Sequence, residues 1–305
     1  MVLPPPLVPL SRPQAPTLLT PGALFDHRSI THHRNRCATS YPQYDFLNDR
    51  VSHDLANRLK RIRRTFHHSV DLGCHTGQLA KALKDILPNN LICTDISEAM
   101  VAQAPSPLKI VLNAEILPFA ERSLDLVISA LSLHWVNDIP GLLAQIYNVL
   151  KPDGLFLASL FGEETLKELR DCLATAELEL KGGLSPRVSP MLSIQDAGTL
   201  LQRAGFALPV VDHDRIQVTY SHPLALLHDL RHMGETNVLY RRSLNFTPRS
   251  LFTRTFELYQ ERYGLPDGRI PATFDIVTLT GWTPHESQQK PLARGSAKSH
   301  LKDYV

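Results

Sequence analysis

The chain contains only four cysteines, Cys37, Cys74, Cys93 and Cys172, with no Cys-x-x-Cys pair. That excludes a zinc knuckle and a disulfide framework, and it points to a reducing, intracellular compartment. Long apolar runs are missing too. The longest charge-free stretch of the apolar middle, Leu126 to Asn137, falls well short of the roughly 18 residues that suggest a membrane span. A soluble chain is expected. Nor is there an excess of charge: 32 Lys and Arg stand against 30 Asp and Glu, a net charge of +2. A dedicated nucleic-acid binder would concentrate basic surface, so that class is set aside. The basic run Lys60-Arg61-Ile62-Arg63-Arg64 reads instead as the solvated face of a helix over Val51 to Arg64, with Leu55, Leu59 and Ile62 as its buried stripe. The first 21 residues hold seven of the 23 prolines and a single basic residue, Arg12. They suit neither the Arg-rich amphipathic helix of a mitochondrial transit peptide nor a secretory signal. Residues 1–24 are read as a flexible leader, and the bacterial cytoplasm as the expected location.

What is present is 305 residues, 43% of them apolar, enough chain for a large core. From Ser69 onward, short apolar runs alternate with helix-length segments, the pattern of βα units winding a mostly parallel sheet. Strands are predicted at Ser69 to Gly73, Leu91 to Thr94, Leu108 to Leu112, Leu124 to Ser129 and Leu155 to Leu160. Helices fall at Gln78 to Leu87, Ser97 to Gln103 and Ile139 to Leu150, the last closed by Lys151-Pro152-Asp153-Gly154. After Phe161 the rhythm changes. A helix over Glu163 to Leu180 ends at Gly182-Gly183, Ser185 to Pro190 reads as an ordered loop or lid, and a second helix covers Ile194 to Ala204. Two more strands, Arg215 to Tyr220 and Phe274 to Thr280, are separated by a helical stretch of about 50 residues, an insertion long enough to suggest a functional role. Insertions are placed at 162–192 and 221–272, within a domain covering 25–296, with a tail at 297–305.

In an open α/β sheet, ligands bind beyond the carboxyl ends of the strands. Strand one runs into Asp71-Leu72-Gly73-Cys74-His75-Thr76-Gly77 and a helix, a small-residue turn aimed at a helix amino terminus. Strand two ends in Thr94-Asp95-Ile96-Ser97, which places a carboxylate 24 residues after Asp71. At that offset an acid can accept hydrogen bonds from both ribose hydroxyls, or cap the next helix. Strand three ends in Asn113-Ala114-Glu115-Ile116-Leu117-Pro118-Phe119.

In their order and spacing these segments, with Leu150-Lys151-Pro152-Asp153-Gly154 before strand five, resemble the class I S-adenosylmethionine (SAM) dependent methyltransferases. The resemblance implies a Rossmann-like α/β fold with a seven-stranded sheet, helical insertions and a lid, and SAM as cofactor. It also implies that Asp71, Gly73 and Gly77 surround the methionine end, Asp95 the ribose, Ile96 the adenine face, and Asn113 with Ala114 the adenine edge. Two positions depart from the family pattern. His75 stands where a glycine is usual and reads as a turn residue or as a substrate or metal contact; Asn113 replaces the common Asp, keeping an acceptor and adding a donor.

A narrower resemblance rests on Phe25-Asp26-His27-Arg28 with Arg34 and Arg36, Ser129 through Asp138, Thr165-Leu166-Lys167-Glu168-Leu169-Arg170, Gly182-Gly183-Leu184-Ser185-Pro186, Asp229 through Asn237, and Gly281 through Gln288. These segments are similar to the mitochondrial complex I assembly arginine hydroxylases and their bacterial relatives. That family implies a SAM-binding protein that hydroxylates an arginine on a respiratory complex I subunit during assembly. A looser resemblance to the malonyl-carrier-protein methyltransferases keeps methyl transfer open, and a noncatalytic assembly chaperone is a third reading.

Hydroxylation calls for an oxidant and usually a metal, and non-haem iron is typically held by two His and a carboxylate. His32-His33, His67-His68, Asp212-His213-Asp214 and His285-Glu286 have no spacing that forces convergence, so the metal stays unassigned. A guanidinium prefers a bidentate carboxylate partner. Of Glu163, Glu164, Glu235 and Glu286, Glu235 is the first choice, because Met233-Gly234-Glu235-Thr236-Asn237 joins a carboxylate to a helix-ending turn. His134 follows strand four, near the expected reaction centre, and is the second candidate catalytic residue. Trp135 could stack on a cation or simply cover the sheet edge, and Arg231, Arg241 and Arg242 could face an acidic partner.

Overall fold

A computed structural model describes residues 22–87, 90–289 and 296; the predicted leader as far as residue 21 and the tail from 297 lie outside the described residues. The apolar runs form seven strands: β1 (Ser69–Leu72), β2 (Leu91–Asp95), β3 (Lys109–Val111), β4 (Leu124–Ala130), β5 (Leu150–Phe161), β6 (Ala207–Tyr220) and β7 (Ile270–Trp282). They make one sheet in the order β3-β2-β1-β4-β5-β7-β6. The first five run parallel, and β7 enters antiparallel between β5 and β6. The strand order reverses between β1 and β4, so their carboxyl ends open a crevice at the middle of the sheet.

Nine described helices accompany the sheet: α1 (His27–Cys37), α2 (Phe46–Lys60), α3 (Gln78–Ala82), α4 (Glu98–Val101), α5 (Ile139–Val149), α6 (Lys167–Lys181), α7 (Ile194–Arg203), α8 (Pro223–Met233) and α9 (Arg249–Tyr263). Side chains of β4 divide between two cores. Val127 packs with Leu142 and Ile146 of α5 and Leu201 of α7, while Leu126 and Ile128 pack with Leu55 and Leu59 of α2 and Leu79 of α3. Burying each such aliphatic side chain contributes about 1.5–3 kcal/mol, so the central strands are held from both faces.

Several elements differ from expectation for local reasons. The Lys151 to Gly154 segment belongs to β5: Leu124 pairs with Leu150 and Leu126 with Leu155, so it bulges out of the ladder. Helix α2 covers Phe46–Lys60 and stops before Arg61, so most of the basic run lies beyond it. Glu163 to Leu166 form a turn before α6. The stretch between β6 and β7 is not continuously helical, because α8 stops at Gly234 in the left-handed region (φ 82) and residues 235–248 form no helix. The leader reading also ends too late: the Leu24 and Phe25 amides both donate to Asn137 Oδ1 at 2.8 Å, which fixes the entry to α1.

Candidate functional site

The turn after β1 needs left-handed backbone at Gly73, His75 and Gly77 (φ 76, 49 and 86). Gly73 and Cys74 both donate their amides to Thr94 O at 2.8 Å, tying the turn to the end of β2. A Cβ on Gly73 would collide with the Ser132 side chain, which the left-handed residue Leu131 brings back over the turn (φ 49). Gly77 serves packing rather than the cleft: a Cβ there would run into Pro105 and Ala104. Gly77 is not among the lining residues of the two cavities described below. His75 is buried, stacks on Tyr41 (5.1 Å between centroids, 11° between planes), and lies 3.2 Å from Asn48 Nδ2 through its Nδ1. Burial, reinforced by the Arg34 charge, pushes its imidazole well below its ordinary value and keeps it neutral. His tolerates this backbone region better than most residues, and the stacked ring fills space that a glycine would leave.

Asp95 does not cap the next helix; Ser97 does, accepting from the Met100 amide. The Asp95 carboxylate turns inward and forms a buried ion pair with Arg34 of α1, Nη1 to Oδ2 at 2.8 Å. It also accepts from the His75 amide at 3.1 Å and the Ser97 amide at 2.8 Å. Arg34 donates in turn to Ser132 Oγ at 3.0 Å. Burial alone would lower the Arg34 pKa, but Asp95 and, beyond it, Glu235 hold it above its ordinary value. Sequence reasoning gave this residue no role, yet it stands at the centre of the site.

Arg34 of this pair lines a first cavity at the strand ends. Gly73, Ile96, Asn113 and Ala114 line it from the strand ends, and His27, Ile30 and Arg34 line it from α1. Asn113 Oδ1 accepts from the Glu115 amide at 3.1 Å, and its Nδ2 lies 3.2 Å from His27 Nδ1. Asp71 is fully buried beneath the turn, and neither carboxylate oxygen has a partner. Burial, with Cys93 and Asp95 adding to it, raises its pKa well above the carboxylate range. An unpaired buried acid below a glycine turn and an amide side chain at the third strand end suit a ligand carrying an amino acid and a nucleoside, while Asp95 is buried in its ion pair and is not among the residues that line the cavity.

A second cavity has Tyr44, Asp45, His75, Phe161 and Glu235 among its lining residues. The two catalytic candidates, 101 residues apart, meet here: His134 Nε2 lies 3.1 Å from Glu235 Oε2. Trp135 Nε1 donates to Glu235 Oε1 at 3.4 Å, while the Trp135 ring meets the edge of Phe25 at 5.3 Å. Burial acts to raise the Glu235 pKa, but His134 and Arg34 outweigh it and hold the carboxyl below its ordinary value. Asp45 accepts from Gln78 Nε2 at 2.8 Å. The cavity thus carries two carboxylates and aromatic walls, with no Lys or Arg among its lining residues.

The other candidates lie apart. Glu163 and Glu286 are exposed, Glu164 pairs with Lys167 at 2.8 Å, and Arg242 is pinned to Asp26 at 3.2 Å rather than free for a partner. Arg231 and Arg241 are exposed. Among the described residues no group of three or more His, Cys, Asp or Glu side chains could hold a metal ion. No described helix is long and apolar enough to cross a membrane.

Sheet order, the antiparallel seventh strand and the cavity at the strand ends define a protein of the class I methyltransferase fold, and the family described as a methyltransferase domain matches residues 70–158. Among solved structures, the YcgJ protein of Bacillus subtilis superposes with a TM-score of 0.54 at 16% identity, covering 76% of this chain and 99% of that one. The chain is 42% identical over 287 residues to arginine-hydroxylase NDUFAF5, mitochondrial, of Danio rerio, covering 92% of this chain and 89% of that protein. It belongs to that arginine-hydroxylase family. A malonyl-[acyl-carrier protein] O-methyltransferase of Xylella fastidiosa is 33% identical over 275 residues, covering 86% of this chain and 90% of that protein.

Proposed function

We propose that the chain binds SAM in the first cavity and an arginine side chain in the second, and that it serves hydroxylation of an arginine on a respiratory complex I subunit during assembly. Asp95 would hold the ribose, Ile96 the adenine face, Asn113 and Ala114 the adenine edge, and Gly73 with Asp71 the methionine end. SAM, when bound, supplies a sulfonium cation with an activated methyl group. Every other contribution is made by the chain's own side chains.

The observation that carries this reading is the charge of the second cavity. Glu235, kept ionised and aimed by His134 and Trp135, and Asp45 offer acceptors to a guanidinium, whose N–H groups make their strongest hydrogen bonds to carboxylates. Tyr44 and Phe161 add aromatic walls suited to a cation. A malonyl carboxylate entering the same space would meet two like charges, which disfavours the acceptor of the malonyl relative. Hydroxylation replaces an arginine C–H by C–O–H; with dioxygen as oxidant, one oxygen atom enters that bond and the other leaves as water, taking two electrons and two protons from an external reductant. In that step these residues hold the guanidinium and keep its surroundings dry.

A labelling experiment tests the proposal. Extract of a strain lacking the gene is supplied with the purified protein and methyl-labelled SAM. Hydroxylation predicts that an arginine of a complex I subunit gains one oxygen and no label. Label appearing on a protein would establish methyl transfer instead, and restored complex I assembly with neither change would identify a chaperone.

A further inference from the structure

We infer that His27, the first residue of α1, is a positioning residue that sets nucleobase selectivity by fixing the amide of Asn113. The inference rests on the reading of the first cavity as a nucleoside site. The Glu115 backbone amide can only donate, and it donates to Asn113 Oδ1 at 3.1 Å, so the orientation of the Asn113 amide is settled. Its Nδ2 therefore points at His27 Nδ1, 3.2 Å away, and that ring nitrogen must be the acceptor. The ring proton is left on Nε2, where Glu115 Oε1 accepts it at 3.0 Å.

Glu115 is suited to that task. Burial would raise its pKa, but His27 and the Asn137 amide hold it low, so it is an anion that accepts from His27 and, at 2.7 Å, from Asn137 N. Glu115 thus fixes the His27 ring from one side, and His27 fixes the Asn113 amide from the other. Asn137 completes the frame: its Oδ1 is taken by the Leu24 and Phe25 amides, its Nδ2 donates to Phe25 O at 3.3 Å, and the same Nδ2 lies 3.1 Å from His27 Nε2, the ring nitrogen whose proton Glu115 takes.

One Oδ1 lone pair and one Nδ2 hydrogen of Asn113 remain, an acceptor beside a donor at the cavity wall. That pair complements adenine, whose exocyclic amine donates next to a ring nitrogen that accepts. Hypoxanthine presents a carbonyl in place of the amine and would set oxygen against oxygen. To accommodate it the amide must flip, and flipping breaks the bonds to both Glu115 N and His27. Without His27 the flip breaks only one.

The test compares binding of S-adenosylhomocysteine and S-inosylhomocysteine by calorimetry, with thermal melting as a check on folding. The wild-type protein should prefer the adenine compound by roughly tenfold to a hundredfold. His27→Ala should lose about fivefold of that preference, the worth of one hydrogen bond, and His27→Gln, whose side-chain oxygen can accept from Asn113, should restore it. A purely structural role for His27 would weaken both ligands equally. An unchanged preference in His27→Ala would overturn the role of His27 and leave the cavity reading intact; failure of the wild type to bind either compound would overturn both.

Discussion

Replacing Asp95 by Asn should destabilise the fold more than almost any other conservative change in the chain. Its partner Arg34 is 4% exposed and Asp95 itself is fully buried, with 2.8 Å between them. Removing one member of such a pair leaves the other charge buried and uncompensated, at a cost of about 3–5 kcal/mol. The new amide would also face the Arg34, His75 and Ser97 donors with only one acceptor atom. For a protein of this size each kcal/mol shifts the melting temperature by about 1.5–2 °C, so a fall of roughly 5–10 °C is expected. Arg34→Met should cost a similar amount for the same reason. The double variant should be less destabilised than the sum of the two singles by about 2–4 kcal/mol, because no charge is then stranded. Urea denaturation of the four proteins closes the cycle, and calorimetry with S-adenosylhomocysteine gives a second reading. Asp95→Asn should bind at least tenfold more weakly, since hydrogen bonds to a charged acceptor contribute about 1.5–3 kcal/mol each. If the single variants unfold within about 1 kcal/mol of wild type, or the two effects simply add, the pair is screened by water and the argument fails.

The loop after α6 supplies a pH-dependent prediction. Glu177 accepts from Ser185 and Arg187; burial opposes ionisation, but these partners bring its pKa down to about 2 from 4.5. Because the folded value is depressed, its stabilisation is complete above about pH 4.5 and is lost as the pH falls toward 2. It amounts to at most about 3 kcal/mol, so Glu177→Gln should flatten stability over that window and speed proteolysis at residues 182–188; an unchanged acid profile would remove the loop anchor. At Gly77, alanine should lower the melting temperature by several degrees, since a Cβ meets Pro105 in a left-handed backbone, whereas Gly183→Ala faces open space and should change little. Equal effects at the two positions would contradict the packing role given to Gly77.

The strands of the central sheet are legible because each is a short aliphatic run closed by a polar turn. The edge strand β6 is not, and only its second half is expected. Its outer residues Asp212, His213, Asp214 and Arg215 are charged or polar, since this strand pairs on one side alone. Helix α1 escapes notice for a sharper reason. Its buried residues are Ile30, Arg34 and Cys37, a regular helical stripe whose middle position is a guanidinium rather than a hydrocarbon. Apolar periodicity cannot detect a helix whose inward face is an ion pair, and the partner Asp95 lies 61 residues away. His134 and Glu235 are each identifiable from local context, one after strand four and one after a helix-ending glycine. Their 3.1 Å contact depends on the path of the chain between β6 and β7, which no local pattern encodes. Gly77 shows the opposite limit: its place in the motif suggests ligand contact, while its neighbours are Pro105 and Ala104.

The central claim is that the carboxylates of the second cavity hold an arginine for hydroxylation. Peptide mass spectrometry of complex I subunits from cells carrying the wild-type gene, Glu235→Gln or no gene tests it most directly. The account predicts one added oxygen on a single arginine with wild type and none in the other two, while purified Glu235→Gln still binds S-adenosylhomocysteine normally. An arginine equally modified by Glu235→Gln, or a subunit of the same mass in all three strains, would contradict it.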